Sequence, residues 1–338
     1  MGDAHPHVRR SARPIARAGF VLLALASVLT TPWSPAAQPD TRIPWIGYLA
    51  NEPTPDSAPV LREMLRERGW IDGESIKVWY RYVQGKPDLY QQHADDLVRL
   101  QVRVIVAVGA PAIEAARRAT KTVPIVMVSL DERGAAGASR EPAAADTNLT
   151  GITTFAPELG PRRLELLGQI VPRLTRAAVL LSAGNASAAD ELSATKSAAA
   201  ARGIELTPIE IADESDVREA LSRVGKSRPQ GLLVLADAIT LAHRQRVATF
   251  TTRSKLPAVF PFRDFADAGG LISYGANWTD IFRQTAELVD RLLKGARPAE
   301  LGIRRASRVE LIVNLRAART LAVKVPSSLL QRADRVIE

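Results

Sequence analysis

VRVIVAVGAPAIEAARRATKTVPIVMVSL, residues 102–130, carries a strand, a helix and a second strand in immediate succession. VRVIVAVG at 102–109 reads as a near-continuous apolar run, the pattern of a strand at the centre of a parallel sheet. Gly109 turns the chain, Ala112 to Thr120 reads as a short helix, and PIVMVSL at 124–130 is a second apolar strand. A β-α-β unit of this kind is the building block of α/β folds.

The same alternation recurs on both sides of this unit. Upstream, IGYLAN at 46–51 reads as a strand. Asp56 or Ser57 then caps a helix whose Val60, Leu61, Met64 and Leu65 share one face, and Gly69 ends it. SIKVWYRY at 75–82 is a β-rich strand and DLYQQHADDLVRL at 88–100 is helical, so four strands are expected in a first sheet. Residues 131–147 are rich in Ala and Gly without periodicity and mark a loop at the edge between lobes. The pattern then restarts: helix at about 157–171, strand AAVLLSAGN, helix 187–202, strand ELTPIEI, helix 214–224 and strand GLLVLAD. PAVFPF at 257–262 and GGLISYGAN at 269–277 add two strands, read as part of a return to the first lobe, before an amphipathic helix to Lys294. VELIVNL at 309–315 is a further strand, and the chain after Pro326 is expected to be helical.

The expected fold class is therefore α/β, with two Rossmann-like lobes whose parallel sheets are covered by helices. Its expected divisions are a signal peptide at 1–37; lobe 1 at 42–149 plus about 265–308; lobe 2 at 150–264; and a C-terminal segment, 309–338, that crosses back and packs at the lobes. A chain of 338 residues exceeds the usual span of one domain, which agrees with two cores.

The leader has basic residues through Arg17, the apolar run FVLLALASVL from Phe20 to Leu29, and a small-residue stretch ending SPAAQPD. Its apolar run is too short to span a bilayer, and Ser34 and Ala36 fit small-x-small cleavage near residues 36–37, so export to a periplasm is expected. The sequence contains no cysteine, which excludes thiolate catalysis, thiolate metal sites and a lipidated Cys. Of four histidines, His5 and His7 lie in the leader, leaving His93 and His243, so no metal site is expected. Of the formal charge of +9, Arg9, Arg10, Arg13 and Arg17 against Asp3 account for a third, and the remainder is scattered. Arg304, Arg305 and Arg308 have no interleaved aromatics, so no nucleic-acid partner is expected.

Neither a G-x-S-x-G elbow, a Walker loop, a G-x-G-x-x-G fingerprint nor H-E-x-x-H occurs, so no catalytic residue and no cofactor are expected. Asp95 and Asp96 are adjacent on a helix and point apart, and Asp264 with Asp267 lacks a second polar constellation. In open α/β sheets, ligands bind beyond the carboxyl ends of the strands. That rule nominates Asn51, Gly109, Ala110, Pro111, Ser129 and Asp131 in lobe 1, Asn185 and Asp237 in lobe 2, and Phe262, Tyr274, Asn277 and Trp278 in the returning section. The helix start at Ala110 to Ala112 suits a carboxylate, and Asp131 or Asp237 suits an ammonium. For Asp237 helix capping is the plain alternative, and for Tyr274 and Trp278 it is filling space between lobes.

From about Ile43 to Glu338 the chain resembles the ABC-transporter substrate-binding family that includes tryptophan- and tyrosine-binding proteins. The segments that carry the resemblance are LRERGWIDGESIKVWYRY, LVRLQVRVIVAVGAPAIEAARRATKTVPIVMV and LPAVFPFRDFADAGGLISYGANWTDIFRQTAELVDRLLKGARPAEL, with the C-terminal VELIVNLRAARTLAVKVPSSLLQRADRVIE. SYG-x-N at Ser273 to Asn277 is the most distinctive motif, and the chain departs from the family pattern between 131 and 146. The resemblance implies a type I periplasmic-binding architecture that closes two lobes on a small organic solute, an amino acid or aromatic compound. It also implies a permease and an ATPase as partners of a monomeric receptor. The alternative is a sensor that presents its closed form to a membrane kinase.

Overall fold

The computed structural model describes residues 43–53, 57–130, 148–154, 156–183 and 185–338. The leader, Asp56 and the whole 131–147 loop, Asp131 included, lie outside the described residues.

The first sheet begins with β1 (Trp45–Ala50), α1 (Ala58–Arg66), β2 (Lys77–Tyr82), α2 (Leu89–Arg99), β3 (Val104–Val108), α3 (Ala110–Ala119), β4 (Ile125–Ser129) and β5 (Leu149–Thr153). The chain continues through α4 (Leu159–Ile170), β6 (Arg176–Ser182), α5 (Ala186–Ala200), β7 (Glu205–Ile211), α6 (Val217–Lys226) and β8 (Gly231–Val234). Next come α7 (Ala238–Ala242), α8 (Arg244–Arg253), β9 (Ala258–Phe260), α9 (Arg263–Asp267), β10 (Ile272–Ala276) and α10 (Trp278–Leu293). The last elements are α11 (Pro298–Leu301), β11 (Ile303–Arg305), β12 (Val309–Asn314), α12 (Leu315–Leu321), α13 (Ser327–Leu330) and β13 (Arg335–Ile337).

Two sheets result, one ordered β11-β5-β4-β3-β1-β2 and the other β13-β12-β10-β9-β8-β6-β7. All pairings are parallel except β10 with β12. The packing around β3 accounts for its apolar run. Val104 and Val106 enter the core shared with α1 and α10, while Ile105 and Ala107 enter the opposite core with residues of α2 and α3. Both faces of β3 are buried, so no alternation with polar residues is possible. In the second sheet β6 does the same, with Val179 and Leu181 on one face and Ala178 and Leu180 on the other.

Sheet membership moves several expected boundaries. The first sheet has six strands rather than four, because β5 pairs with β4 and β11 pairs with β5. The 272–276 strand does not belong to a return to lobe 1: Ile272 and Ser273 pair with Val259 and Phe260, and Ile272 also faces Val313 of β12. The chain goes back to lobe 1 only with α10. The 309–338 segment is part of the second sheet, and its end is the short helix α13 followed by the strand β13, whose Val336 pairs with Val313. The chain thus passes between the lobes three times, after Thr153, after Ala276 and between Arg305 and Val309.

The passages are bonded to each other. The Ala306 amide donates to the Thr153 carbonyl at 2.8 Å, and the Asn277 amide to the Arg308 carbonyl at 3.0 Å. Asn277 Oδ1 caps α10 by accepting from the Asp280 amide, while its Nδ2 donates to Glu310 at 2.9 Å. Asp280, 3% exposed, accepts from Ser307 Oγ at 2.7 Å, from Gln284 Nε2 at 2.8 Å and from Arg283 at 2.5 Å. Burial by itself raises the Asp280 pKa, but these three hydrogen bonds together with the charge of Arg283 outweigh it and hold the carboxyl below its ordinary value.

Candidate functional site

The carboxyl ends of β4, β5, β6 and β8 converge where the two lobes meet, the position the parallel-sheet rule assigns to a ligand. A cavity of about 10 Å³ is enclosed there, lined by Leu130 from the first lobe, Thr154 from the first passage, and Arg163, Ser187, Glu191 and Ala236 from the second. Leu130 packs against the second lobe's core, and Trp278 packs against the cores of both lobes. On the rim, Arg244 Nη1 lies 3.7 Å from Glu52 Oε1, an ion pair between lobes. The two lobes are therefore in contact.

Arg163 and Glu191 are the charged residues of a wall that Leu130, Ala156, Leu159 and Ala236 also form. The Arg163 side chain is 1% exposed and that of Glu191 is 6% exposed, and Arg163 Nη1 donates to Glu191 Oε1. Arg163 Nε also donates to the Tyr274 carbonyl at 2.8 Å. Burial pushes the Glu191 carboxyl pKa upward, opposed by the charge of Arg163 and by the Ala236 amide. Local sequence makes room for the pair. A Cβ on Gly160 would lie 2.1 Å from Thr195 Oγ1 and 2.9 Å from Glu191 Cγ, so glycine lets α4 approach α5. A Cβ on Gly275 would lie 1.7 Å from the Pro261 carbonyl oxygen and 3.5 Å from Arg163 Nη2.

The residues nominated from sequence are dispersed around this cavity. Ser129 is buried one residue before Leu130, and its carbonyl accepts from the Thr154 amide at 2.9 Å. Asn185 and Asp237 pin β6 to β8: Asn185 Nδ2 donates to Asp237 Oδ2 at 3.0 Å and to the Ala236 carbonyl at 3.1 Å. Each also caps a helix, Asn185 at Ala188 and Asp237 at Ile239 and Thr240. Asn51 is exposed and binds the Gly85 amide through Oδ1 at 2.9 Å. Gly109 precedes α3, where Ala110 and Pro111 are exposed, and Pro111 borders a groove with Tyr90 of α2 rather than the cavity. Phe262 is buried with its ring centroid 5.5 Å from that of Trp278, whose Nε1 donates to Asp264 at 3.1 Å. Tyr274 packs on the second lobe's own core, and Asn277 sits in the passage already described. Among the described residues there is no His, Asp and Glu cluster able to hold a metal.

Sequence reasoning missed Thr154, Arg163 and Glu191. A signal existed for two of them. Glu191 lies on the stripe Ala188, Glu191, Thr195, Ala199, all buried, and Arg163 lies on the stripe Leu159, Gly160, Arg163, Leu167, Ile170. A charged residue on the buried face of a helix is rare unless it is paired.

The family profile described as "ABC transporter substrate binding protein" matches residues 58–337. The chain belongs to this family. Among curated proteins, the family member resembles the tyrosine-binding protein of Clostridioides difficile strain R20291, 22% identical over 271 residues, covering 80% of this chain and 77% of the relative. Among solved structures it resembles a conserved domain protein of Vibrio cholerae, with a TM-score of 0.78 and 24% identity over 87% of this chain and all of that one. A Streptococcus pneumoniae ABC domain in complex with L-Trp gives the same TM-score at 21% identity, covering 88% of this chain and all of that one. The fold is the type I periplasmic-binding fold, and the family's activity is binding rather than catalysis.

Proposed function

We propose that this substrate-binding protein is the extracytoplasmic receptor of an ABC importer, capturing a small organic solute, an amino acid or aromatic compound, by closing its lobes. The observation that carries this reading is the meeting of strand ends from two lobes, joined by three bonded passages, around a small cavity lined from both. A solute touching both lobes is contacted fully only when they are together, so it shifts the hinge equilibrium toward that state. The relatives that bind tyrosine and L-Trp favour an amino-acid cargo. The closed form is then read by a permease and its ATPase, with the receptor acting as a monomer. The basic and apolar leader supports export with cleavage near residues 36–37 and a periplasmic location. Among the described residues no helix is long and apolar enough to cross a membrane.

A thermal-shift screen on the protein without residues 1–37 tests the reading, using amino acids, aromatic acids, sugars and nucleosides. A solute at a hundredfold excess over its Kd should add about 2.7 kcal/mol and raise Tm. If no solute raises Tm and one of them is turned over, the receptor reading is wrong.

A further inference from the structure

We infer that a groove at the pole of lobe 2 farthest from the cleft is a second binding site, and that it holds a small organic anion by its phosphate group. The site stands on its own residues and does not depend on the receptor reading.

Its place follows from strand direction. Asn314 ends β12, and its amide donates to the Leu271 carbonyl at 2.8 Å, just before β10 begins. Ile337 of β13 pairs with Asn314. The groove that Asn314 and Ile337 line is therefore at the amino ends of β9 and β10, opposite the carboxyl ends that meet the other lobe. Its volume is about 660 Å³, within the range of roughly 300–1,000 Å³ that small-molecule sites occupy.

Charge narrows the chemistry. Arg253, Arg316 and Arg335, all exposed, line the groove against a single lining carboxylate, Asp267. Asp267 accepts from Arg335 Nη1 at 3.0 Å and also lies 3.7 Å from Arg263 Nε, so two guanidiniums share it. Arg316 Nε donates to the Glu338 backbone carbonyl, and Lys255 Nζ, beside the groove, donates to the Thr320 carbonyl. Among the described residues no carboxylate pairs with Arg253. Helix chemistry accounts for Arg253, in the last turn of α8, but not for Arg316, in the first turn of α12, nor for Arg335, on a strand. A guanidinium presents paired N–H groups that match two phosphate oxygens, and a phosphate dianion neutralises two such groups at once. Ala266 and Ala317, both buried, form an apolar floor for the organic body.

Titration calorimetry of the mature protein tests the site with glycerol 3-phosphate, glycerol and phosphatidylglycerol vesicles. Sodium chloride at about 0.15 M screens loose attraction between exposed charges. One equivalent of glycerol 3-phosphate should bind, and glycerol should not. Arg253→Gln and Arg316→Gln should each weaken that binding about tenfold or more, since each removes a charge-assisted bond. Both side chains are exposed, so Tm without phosphate should be nearly unchanged. Vesicle binding that both substitutions abolish, without binding of the free ester, would assign the phosphate to a lipid head group. No binding of either probe, or binding that either variant retains in full, would overturn the site and leave the receptor reading standing. Failure of every solute in the thermal screen, with phosphate binding intact, would overturn the receptor reading alone.

Discussion

Asp237 shows how a side chain can satisfy a ligand-site rule and still be fully occupied. It follows a parallel strand, but its Oδ1 accepts from the Ile239 and Thr240 amides and its Oδ2 from Asn185. Asp237→Ala should therefore lower unfolding free energy in urea by about 1–2 kcal/mol through loss of the cap. Gly275 is a second case. It is the glycine of the SYG-x-N motif, and a Cβ there would meet the Pro261 carbonyl oxygen. Gly275→Ala should cost about 1–3 kcal/mol in the same assay and disturb Arg163, since the strand must shift to admit the methyl group. Arg163 and Glu191 were illegible to motif reasoning because they lie 28 positions apart and neither belongs to a recognised spacing. Only their place on buried helical stripes betrays them.

At the scale of elements, what could be read from sequence was local. β3, β4 and β6 follow from apolar runs, and the alternation of strand and helix gave two sheets. The lobe to which β10 belongs did not follow, since its partners, β9 and β12, differ in direction and β12 lies more than thirty residues away. Parallel and antiparallel neighbours are chosen by global topology, and the strand's own pattern is the same in either sheet. The helix α10 is tied to the passages by Asp280, whose folded pKa is lowered below its ordinary 3.8. Its contribution to stability is full above that unfolded value and is lost as pH falls through the folded one. Acid titration of Tm should therefore show a loss below about pH 4 that is blunted in Asp280→Asn, a variant already less stable at neutral pH. An identical acid profile in both proteins would contradict the role given to this carboxylate.

For the whole molecule, the contacts between lobes decide how easily the cleft opens. Glu52 and Arg244 are partly exposed and 3.7 Å apart, so Arg244→Ala should change global stability by no more than about 1 kcal/mol. The same change removes a contact made only with the lobes together, so it should weaken solute binding mainly by speeding release, seen in stopped-flow tryptophan fluorescence. Trp278, packed on both cores, is placed to report that motion. The sequence contains no cysteine, so spin labels can be introduced at two chosen sites without background. Arg62 on α1 and Lys226 on α6 are exposed and lie in different lobes. Electron–electron double resonance between labels at these positions measures the separation of the lobes directly. With L-tryptophan or L-tyrosine at concentrations that calorimetry shows to be saturating, one narrow, short-distance population is expected, and without solute a broader distribution reaching longer distances. The same distribution in both samples would contradict closure around a solute.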